Sequence, residues 1–124
     1  MNDARPDYVL GEVVRTAERF KDPVVACLGL AFKANIDDLR ESPALHIVTR
    51  LAEQQVGHLL VVEPHINELP DSLASTGTAA LVDATTAVRD ADVVVLLVDH
   101  DAFRAVKRTA LRGKAVFDTR GFWH

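Results

Sequence analysis

The stretch VVACLGLA at residues 24–31 decides the fold, because it is apolar throughout and too short for a typical helix. Such a run is typical of a strand that is covered on both faces, and doubly covered strands occur in parallel sheets. Weaker apolar runs follow at residues 59–62, 79–82, 93–98 and 115–117. The sequence therefore predicts five strands in one mainly parallel sheet.

The segments between these runs are long enough for crossover helices. The clearest helix is predicted over residues 43–54, where Ser42 is a suitable N-cap and Pro43 takes the first helical position. The other helices are predicted at residues 7–20, 66–73, 85–90 and 101–111. The predicted fold class is α/β: a doubly wound, mainly parallel, five-stranded Rossmann-like sheet with an extra N-terminal helix.

The composition indicates one compact domain. The chain has 124 residues, of which 48% are hydrophobic and 26% are charged. Its formal net charge of −4 gives no general basic field for nucleic acid or anionic lipid. The single cysteine excludes an internal disulfide framework, and no apolar run approaches the roughly 20 residues of a membrane span. We therefore predict a cytoplasmic protein without a nucleic-acid or membrane partner.

The segment after the first predicted strand, GLAFKANIDDLRESP at residues 29–43, is the first candidate for a binding site. Ligands of doubly wound sheets bind beyond the carboxyl ends of the strands. This connection is also far longer than the roughly two to six residues that are usual. Gly29 is its one glycine, whereas the dinucleotide fingerprint has three. The sequence therefore argues against an NAD pyrophosphate at this turn.

The same loop contains groups that suit a phosphorylated ligand with a base. Phe32 can pack on a base or sugar, and Lys33 and Arg40 can hold phosphate oxygens beside a helix N-terminus. The alternative is that both cations pair with neighbouring acids on a solvated loop, since surface ion pairs are common. These acids are Asp37, Asp38 and Glu41. The charge pattern alone does not choose between the two interpretations.

Four further residues have a functional and a structural interpretation. Glu63 follows strand two, where NAD domains carry the ribose carboxylate, but without the glycine fingerprint we expect it to cap the loop. Asp99 and Asp118 follow strands four and five, and they can accept hydrogen bonds from sugar hydroxyls or from their own loops. Trp123 is either an exposed anchor or a lid that packs on the sheet.

No catalytic or metal-binding residue is predicted in this chain. Cys27 lies inside the apolar first strand, where a free cysteine usually acts as a small hydrophobic residue. The histidines include no pair with metal-ligand spacing on one element. They are His46, His58, His65, His100 and His124.

Longer motifs resemble a known family. GLAFK at residues 29–33, followed by DDLRESP at residues 37–43, is similar to the C-terminal, UDP-binding domain of the UDP-glucose/GDP-mannose dehydrogenase family. The similarity continues in VVEP at residues 61–64, ADVVV at residues 91–95 and FDTRG at residues 117–121. Within that family, the sequence most resembles members that act on UDP-N-acetyl-D-mannosamine.

The resemblance implies a role for each of four residues. Phe32 and Lys33 would contact the UDP-sugar, and Arg40 would contribute to the same site. Arg120 would lie where substrate and cofactor meet. The candidate site is therefore a substrate-binding site.

The resemblance also implies an enzyme of which this chain is a part. The family oxidises the sugar C6 alcohol to a carboxylate in two hydride transfers to NAD. NAD would be bound mainly by an N-terminal domain that, with the nucleophilic cysteine, is expected to be absent here. Residues 1–22 would end a central connecting helix, and residues 23–124 would form the UDP-sugar-binding domain. We expect this chain alone to be inactive and the full-length protein to be a homodimer. The alternative is a non-catalytic nucleotide-sugar-binding or assembly module.

Overall fold

The five apolar runs form one sheet in a computed structural model, which describes residues 5–123. The strands are β1 (Val24–Leu28), β2 (His58–Val62), β3 (Ala79–Leu81), β4 (Val93–Leu96) and β5 (Ala115–Asp118). All neighbouring strands are parallel, in the order β3-β2-β1-β4-β5. The predicted doubly wound, Rossmann-like α/β fold is confirmed. The first four residues of the expected connecting-helix segment, and His124, lie outside the described residues.

Helical segments cover both faces of this sheet. One face carries the first three α-helices, and the other carries the fourth together with two short 3-10 helices. They are α1 (Pro6–Ala17), α2 (Pro43–Glu53), α3 (Asp71–Ala74), α4 (Ala84–Asp90) and the 3-10 helices Asp101–Ala105 and Arg108–Leu111.

The burial of β1 on both faces follows from the alternation of side chains along a strand. Val25 and Cys27 pack in the core on the side of α1, α2 and α3, whereas Ala26 and Leu28 pack in the core on the side of α4. All four side chains are fully buried. The continuous apolar run therefore reflects a separate core on each face of the sheet.

Two predicted helices were wrong in extent. The helix expected at residues 66–73 is only the single turn of α3, because Pro70 disfavours a helical residue before it and serves as the N-cap. The helix expected at residues 101–111 is divided into the two 3-10 helices by the extended residues Val106 and Lys107. Phe103 is the one buried side chain of these two segments, so they lack the apolar stripe with which an α-helix packs.

Three elements end earlier than the apolar pattern predicted. β1 ends at Leu28 and β4 at Leu96, rather than at residues 31 and 98, and α1 ends at Ala17 rather than at residue 20. After β1 the chain turns at Gly29, which has a φ of +102°. A Cβ atom at Gly29 would lie 2.5 Å from the Cβ of Val98. The segments that follow β1 and β4 thus pack against each other, which explains why their residues are apolar.

α1 packs as part of the same core as the sheet. Val9, Val13 and Ala17 lie on one face of this helix and are buried. The helix contacts α2, β4 and β5. The division into residues 1–22 and residues 23–124 remains a prediction. Within residues 5–123, no helix has the length and apolar character needed to cross a membrane.

Candidate functional site

The candidate site lies at the carboxyl ends of the strands, where the strand order reverses between β1 and β4. The chain runs from β1 to β2 on one side of this point and from β4 to β5 on the other. The loops after β1 and β4 therefore diverge and leave a crevice between them, which is where doubly wound sheets bind ligands.

A cavity of about 150 Å³ opens in this crevice. Phe32 and Arg120, two of the four predicted site residues, both line it. Phe32 is 50% exposed, so one face of its ring is available to a ligand. The other lining residues are Pro6, Ala31, Pro43, Ala44, Ile47, Leu97, Val98 and Thr119. The cavity thus combines a largely apolar wall with the guanidinium group of Arg120.

Lys33 and Arg40, the other two predicted site residues, are not among the residues that line the cavity. The Nε and Nη2 atoms of Arg40 lie 3.1 and 3.0 Å from the two carboxylate oxygens of Asp38. The Arg40 side chain is 89% exposed. Its side-chain hydrogen bond is the main cause that lowers the pKa of Asp38 to about 2. Lys33 is exposed and makes no ion pair among residues 5–123. Arg40 therefore forms the solvated ion pair that was the alternative interpretation of its charge. The ligand roles of Lys33 and Arg40 remain predictions.

The turn after β5 places Arg120. The carboxylate of Asp118 accepts hydrogen bonds from the backbone N–H groups of Arg120, Phe122 and Trp123 at 3.1, 2.7 and 2.8 Å. Asp118 therefore has the loop-stabilising role, one of its two interpretations. Asp99 lies 3.9 Å from the Arg120 guanidinium, and both side chains are partly exposed. The pair orients Arg120 without removing it from solvent.

Ser42 connects the start of α2 to the first residues of the loop that follows β1. Its hydroxyl oxygen accepts a hydrogen bond from the Leu45 N–H group at 3.2 Å, which confirms the predicted N-cap. The same hydroxyl donates to the carbonyl oxygens of Leu30 and Ala31, at 2.7 and 3.1 Å. This arrangement fixes the first turn of α2 at the wall of the cavity.

The buried carboxylate of Glu63 lies against the loop that follows β1. Its Oε1 atom accepts hydrogen bonds from the backbone N–H groups of Leu30 and Ala31 at 3.0 and 3.2 Å. The Oε2 atom accepts from the His65 N–H group at 2.9 Å, and the His100 Nε2 atom lies 2.7 Å from Oε1. Burial by itself would raise the pKa of Glu63, but these hydrogen bonds outweigh it and lower the pKa below its ordinary value. Glu63 caps the loop, as the sequence predicted.

His100 is completely buried, and both of its ring nitrogens have partners. The Nδ1 atom accepts the backbone N–H group of Asn35 at 2.8 Å, so Nδ1 carries no proton. The proton is then on Nε2, which donates to Glu63, and the imidazole is neutral. The Oδ1 atom of Asn35 in turn accepts the Asp101 N–H group at 2.9 Å. This network joins the loops that follow β1, β2 and β4.

The cluster of side chains around Glu63 was not predicted from the sequence. Glu63, His65 and His100 bring three possible metal-ligand atoms within 4.8 Å of one another. However, both oxygens of Glu63 and both nitrogens of His100 already have hydrogen-bond partners. The network is complete without an ion. The available signal in the sequence was that Glu63 and His100 each follow a predicted strand.

The turn after β1 does not fit the pyrophosphate of NAD. Gly29 packs against Val98, so the backbone is closed on that side. The N–H groups of Leu30 and Ala31, which a pyrophosphate would need, are bound by Glu63. The backbone donors of this turn are therefore engaged by Glu63 and not offered to NAD.

The remaining two candidates have structural roles. Cys27 is fully buried, and burial raises the pKa of its thiol to about 12, so it is unsuited to act as a nucleophile. Trp123 packs as a lid, with its Nε1–H group donating to the carbonyl oxygen of Phe103 at 3.0 Å.

A larger cavity, of about 600 Å³, lies between α4 and the 3-10 helices. Its wall consists mainly of alanine, valine and threonine side chains, with Arg89, Lys107 and Lys114 among them. None of the four predicted site residues lines this larger cavity. The smaller cavity is therefore the candidate site, because it combines Phe32, Arg120 and the start of α2.

The strand order and the crevice define a Rossmann-like domain, a class of fold in which ligands bind where the strand order reverses. The family model described as the UDP-glucose/GDP-mannose dehydrogenase family, UDP binding domain, matches residues 26–124. The chain belongs to this family, whose members are nucleotide-sugar dehydrogenases.

Individual relatives agree with this assignment. The NDP-N-acetyl-D-galactosaminuronic acid dehydrogenase of Ralstonia solanacearum is 55% identical over 123 residues, which cover 99% of this chain and 28% of the relative. The UDP-N-acetyl-D-mannosamine dehydrogenase of Salmonella typhi is 44% identical over 131 residues, which cover 99% of this chain and 31% of the relative. The structure of UDP-N-acetyl-mannosamine dehydrogenase from Staphylococcus aureus has a TM-score of 0.74 at 26% identity, over 95% of this chain and 27% of that one. The chain thus spans less than a third of these relatives.

Proposed function

We propose that this chain is the UDP-sugar-binding domain of an NAD-dependent nucleotide-sugar 6-dehydrogenase. The observation that carries the proposal is the convergence of Phe32 and Arg120 on one cavity at the N-terminus of α2. These two residues lie on different loops, and the resemblance assigned both to the substrate site. Their meeting at the strand reversal matches the general position of ligands in this fold.

The chemistry of the cavity suits a nucleoside diphosphate linked to a sugar. The exposed face of Phe32 can pack on the uracil or a sugar ring, and Arg120 can bind phosphate or hydroxyl oxygens. The N-terminus of α2 adds partial positive charge. The cavity of about 150 Å³ is smaller than the roughly 300–1,000 Å³ of complete ligand sites, so it would hold one part of the ligand. Lys33 and Arg40 would reach the phosphates from outside, with Arg40 exchanging Asp38 for the ligand.

The oxidation is assigned to a longer polypeptide, because this chain spans less than a third of the relatives it matches. NAD and the nucleophilic cysteine would be supplied mainly by the remaining part, in a full-length homodimer located in the cytoplasm. This domain would bind and orient the nucleotide-sugar during two successive hydride transfers. We expect the chain alone to bind UDP but to reduce no NAD.

Two sugars are candidates for the substrate. The motifs favour the oxidation of UDP-N-acetyl-D-mannosamine to UDP-N-acetyl-D-mannosaminuronate. The 55% identity to an enzyme named for N-acetyl-D-galactosaminuronic acid favours a sugar of that series instead. Comparing kcat/KM of the full-length enzyme for the two UDP-sugars would separate them.

The direct test of the binding proposal is an NMR titration of the ¹⁵N-labelled chain with UDP, followed by NAD. UDP should shift the resonances around Phe32 and Arg120, and NAD should have little effect. Arg120→Ala should weaken UDP binding by roughly tenfold or more, as expected for the loss of a charged hydrogen bond. Lys33→Ala and Arg40→Ala should weaken it less.

The matched control is Arg112→Ala, which removes an exposed arginine that does not line the cavity. It should leave UDP binding unchanged. If UDP gives no localised shifts at millimolar concentration, the chain is not a self-sufficient binding domain. Self-association without a UDP response would instead support the alternative of an assembly module.

A further inference from the structure

Glu63 lies where a phosphate would be expected in a domain of this fold. The consecutive N–H groups of Leu30 and Ala31 both point at its Oε1 atom, at 3.0 and 3.2 Å. Consecutive backbone N–H groups that converge on one anionic oxygen form the kind of concavity that binds phosphates in nucleotide-binding loops. The anion at this turn is therefore a side chain of the protein itself.

The carboxylate is well matched to this position. Glu63 is 3% exposed, and a buried carboxylate is costly unless its oxygens are hydrogen-bonded. Its two oxygens accept from three backbone N–H groups and from His100 Nε2–H. Two of these four donors belong to the loop after β1, so the loop itself supplies half of the hydrogen bonds that compensate the negative charge.

His100 attaches a second point of the loop after β1. Its Nδ1 atom accepts the Asn35 N–H group at 2.8 Å. The loop is thus attached to the sheet at residues 30–31 through Glu63 and at Asn35 through His100. Phe32 and Lys33 lie between these two attachments, so their backbone is held on both sides.

We propose that Glu63 is a built-in anion that replaces phosphate at the turn after β1 and, together with His100, positions Phe32 and Lys33. The carboxylate excludes a dinucleotide from this turn, and it orders the loop before a ligand arrives. Glu63 and His100 are positioning residues, since neither lines the cavity. The role in presenting Phe32 and Lys33 to a nucleotide-sugar rests on the proposed function, whereas the ordering of the loop does not.

Amide hydrogen exchange tests the ordering of the loop without any ligand. Glu63→Gln keeps the size of the side chain but removes its negative charge, so Leu30 and Ala31 would donate to a weaker, neutral amide oxygen. Exchange at Leu30 and Ala31 should accelerate by roughly tenfold, because a charge-assisted hydrogen bond is replaced by a neutral one, and exchange at Asn35 should accelerate through His100. Exchange at Ala26, in the centre of β1, should accelerate much less, since it reports only the change in global stability. An equal acceleration at Ala26 would overturn the proposal, because Glu63 would then contribute only to global stability.

Asp83→Asn is the matched control for this experiment. The Asp83 carboxylate also accepts a backbone N–H group, that of Thr86 at 2.7 Å, but at the start of α4. This substitution should leave exchange in the loop unaltered. An acceleration in the loop as large as that of Glu63→Gln would overturn the assignment of the effect to Glu63.

Chemical rescue tests whether an anion with carboxylate-like oxygens is what the turn requires. Glu63→Ala removes the carboxylate and leaves space for a small one. Sodium formate should slow exchange at Leu30 and Ala31 in this variant, while sodium chloride at the same ionic strength should not. Equal effects of the two salts would overturn the proposal. Should Glu63→Ala not fold, His100→Gln tests the other attachment, because exchange should then accelerate at Asn35 and stay slow at Leu30.

UDP binding separates the failure of this inference from the failure of the proposed function. UDP should bind Glu63→Gln roughly tenfold more weakly than the wild type. If the wild type binds UDP and Glu63→Gln binds it equally well, the positioning role is overturned. If the wild type does not bind UDP, the proposed function fails, and the exchange and rescue experiments decide the built-in anion by themselves.

Discussion

In the loop after β1, the side chain of Arg40 is paired with the carboxylate of Asp38. Two hydrogen bonds join their side chains, and the Arg40 N–H group also donates to Asp38 at 2.9 Å. The pKa of Asp38 is lowered from 3.8 to about 2, so the carboxylate stays ionised at any pH where the protein would work. A phosphate must compete with this carboxylate for the guanidinium group.

At the residue scale, Arg40→Ala should raise the pKa of Asp38 from about 2 towards 3.8. It should not reach 3.8, because the backbone hydrogen bond at position 40 remains. The sign follows from the lowered pKa: the pair contributes above pH 3.8, and its contribution is lost as the pH falls through 2. An NMR titration of the carboxyl carbon measures this, with Arg50→Ala as the control. An unchanged pKa would contradict the pairing.

At the element scale, Gly29 allows β1 and β4 to approach each other at the strand reversal. Gly29→Ala should destabilise the chain by about 1–2 kcal/mol through backbone strain. Overpacking of the new Cβ atom against Val98 should destabilise the chain by a further 1–3 kcal/mol, roughly. Gly77→Ala provides a matched comparison, since Gly77 also has a positive φ, of +74°, but nothing within 4 Å of the added Cβ. Equal losses in urea unfolding would show that Val98 imposes no steric limit.

The cap of α2 allows a second prediction at this scale. Ser42→Ala removes the N-cap and the donor to two carbonyl oxygens, so the free energy of unfolding should fall by about 2 kcal/mol. Ser72→Ala, at an exposed position within α3, should change it by less than about 0.5 kcal/mol. Urea denaturation distinguishes the two, and similar values would mean that the cap contributes little.

At the scale of the whole molecule, α1 should unfold together with the sheet. Val13 on α1 is fully buried, so Val13→Ala should lower the free energy of unfolding by roughly 2 kcal/mol. Val116→Ala makes the same change at a residue that is 38% exposed, and should cost less than about 1 kcal/mol. If α1 amides exchange freely while β1 remains protected, α1 is an appendage and the division at residue 22 gains support.

The pH dependence of stability should report the buried carboxylate. Since the pKa of Glu63 is lowered in the folded protein, its stabilising contribution is complete above the ordinary value of 4.5. It is lost as the pH falls through the lower, folded value. The difference in unfolding free energy between the wild type and Glu63→Gln should therefore shrink below pH 4.5. A difference that does not vary with pH would show that the ionised carboxylate is not the stabilising form.

The sequence by itself determined the sheet and the position of the candidate site. A strand that is apolar along its whole length places apolar side chains on both faces, so the sequence predicts a sheet covered on both sides. The long loop at residues 29–43 follows the first of these strands directly, which places the candidate site at its carboxyl end. The cap at Ser42 was also predictable, because it depends on neighbouring residues. The α-helix predicted at residues 101–111 was wrong, because Phe103 is the one buried side chain of the two 3-10 helices found there and an α-helix packs through an apolar stripe.

The tertiary structure alone decided which polar groups meet. Glu63 and His100 are separated by 37 positions, and only the pairing of β1 with both β2 and β4 brings them together. The pairing of β1 with β4, and of β4 with β5, brought Phe32 and Arg120 to one cavity. Local patterns fix secondary structure because those forces act between neighbours in the chain. A site built from three loops depends on the order of the strands, which no local pattern contains.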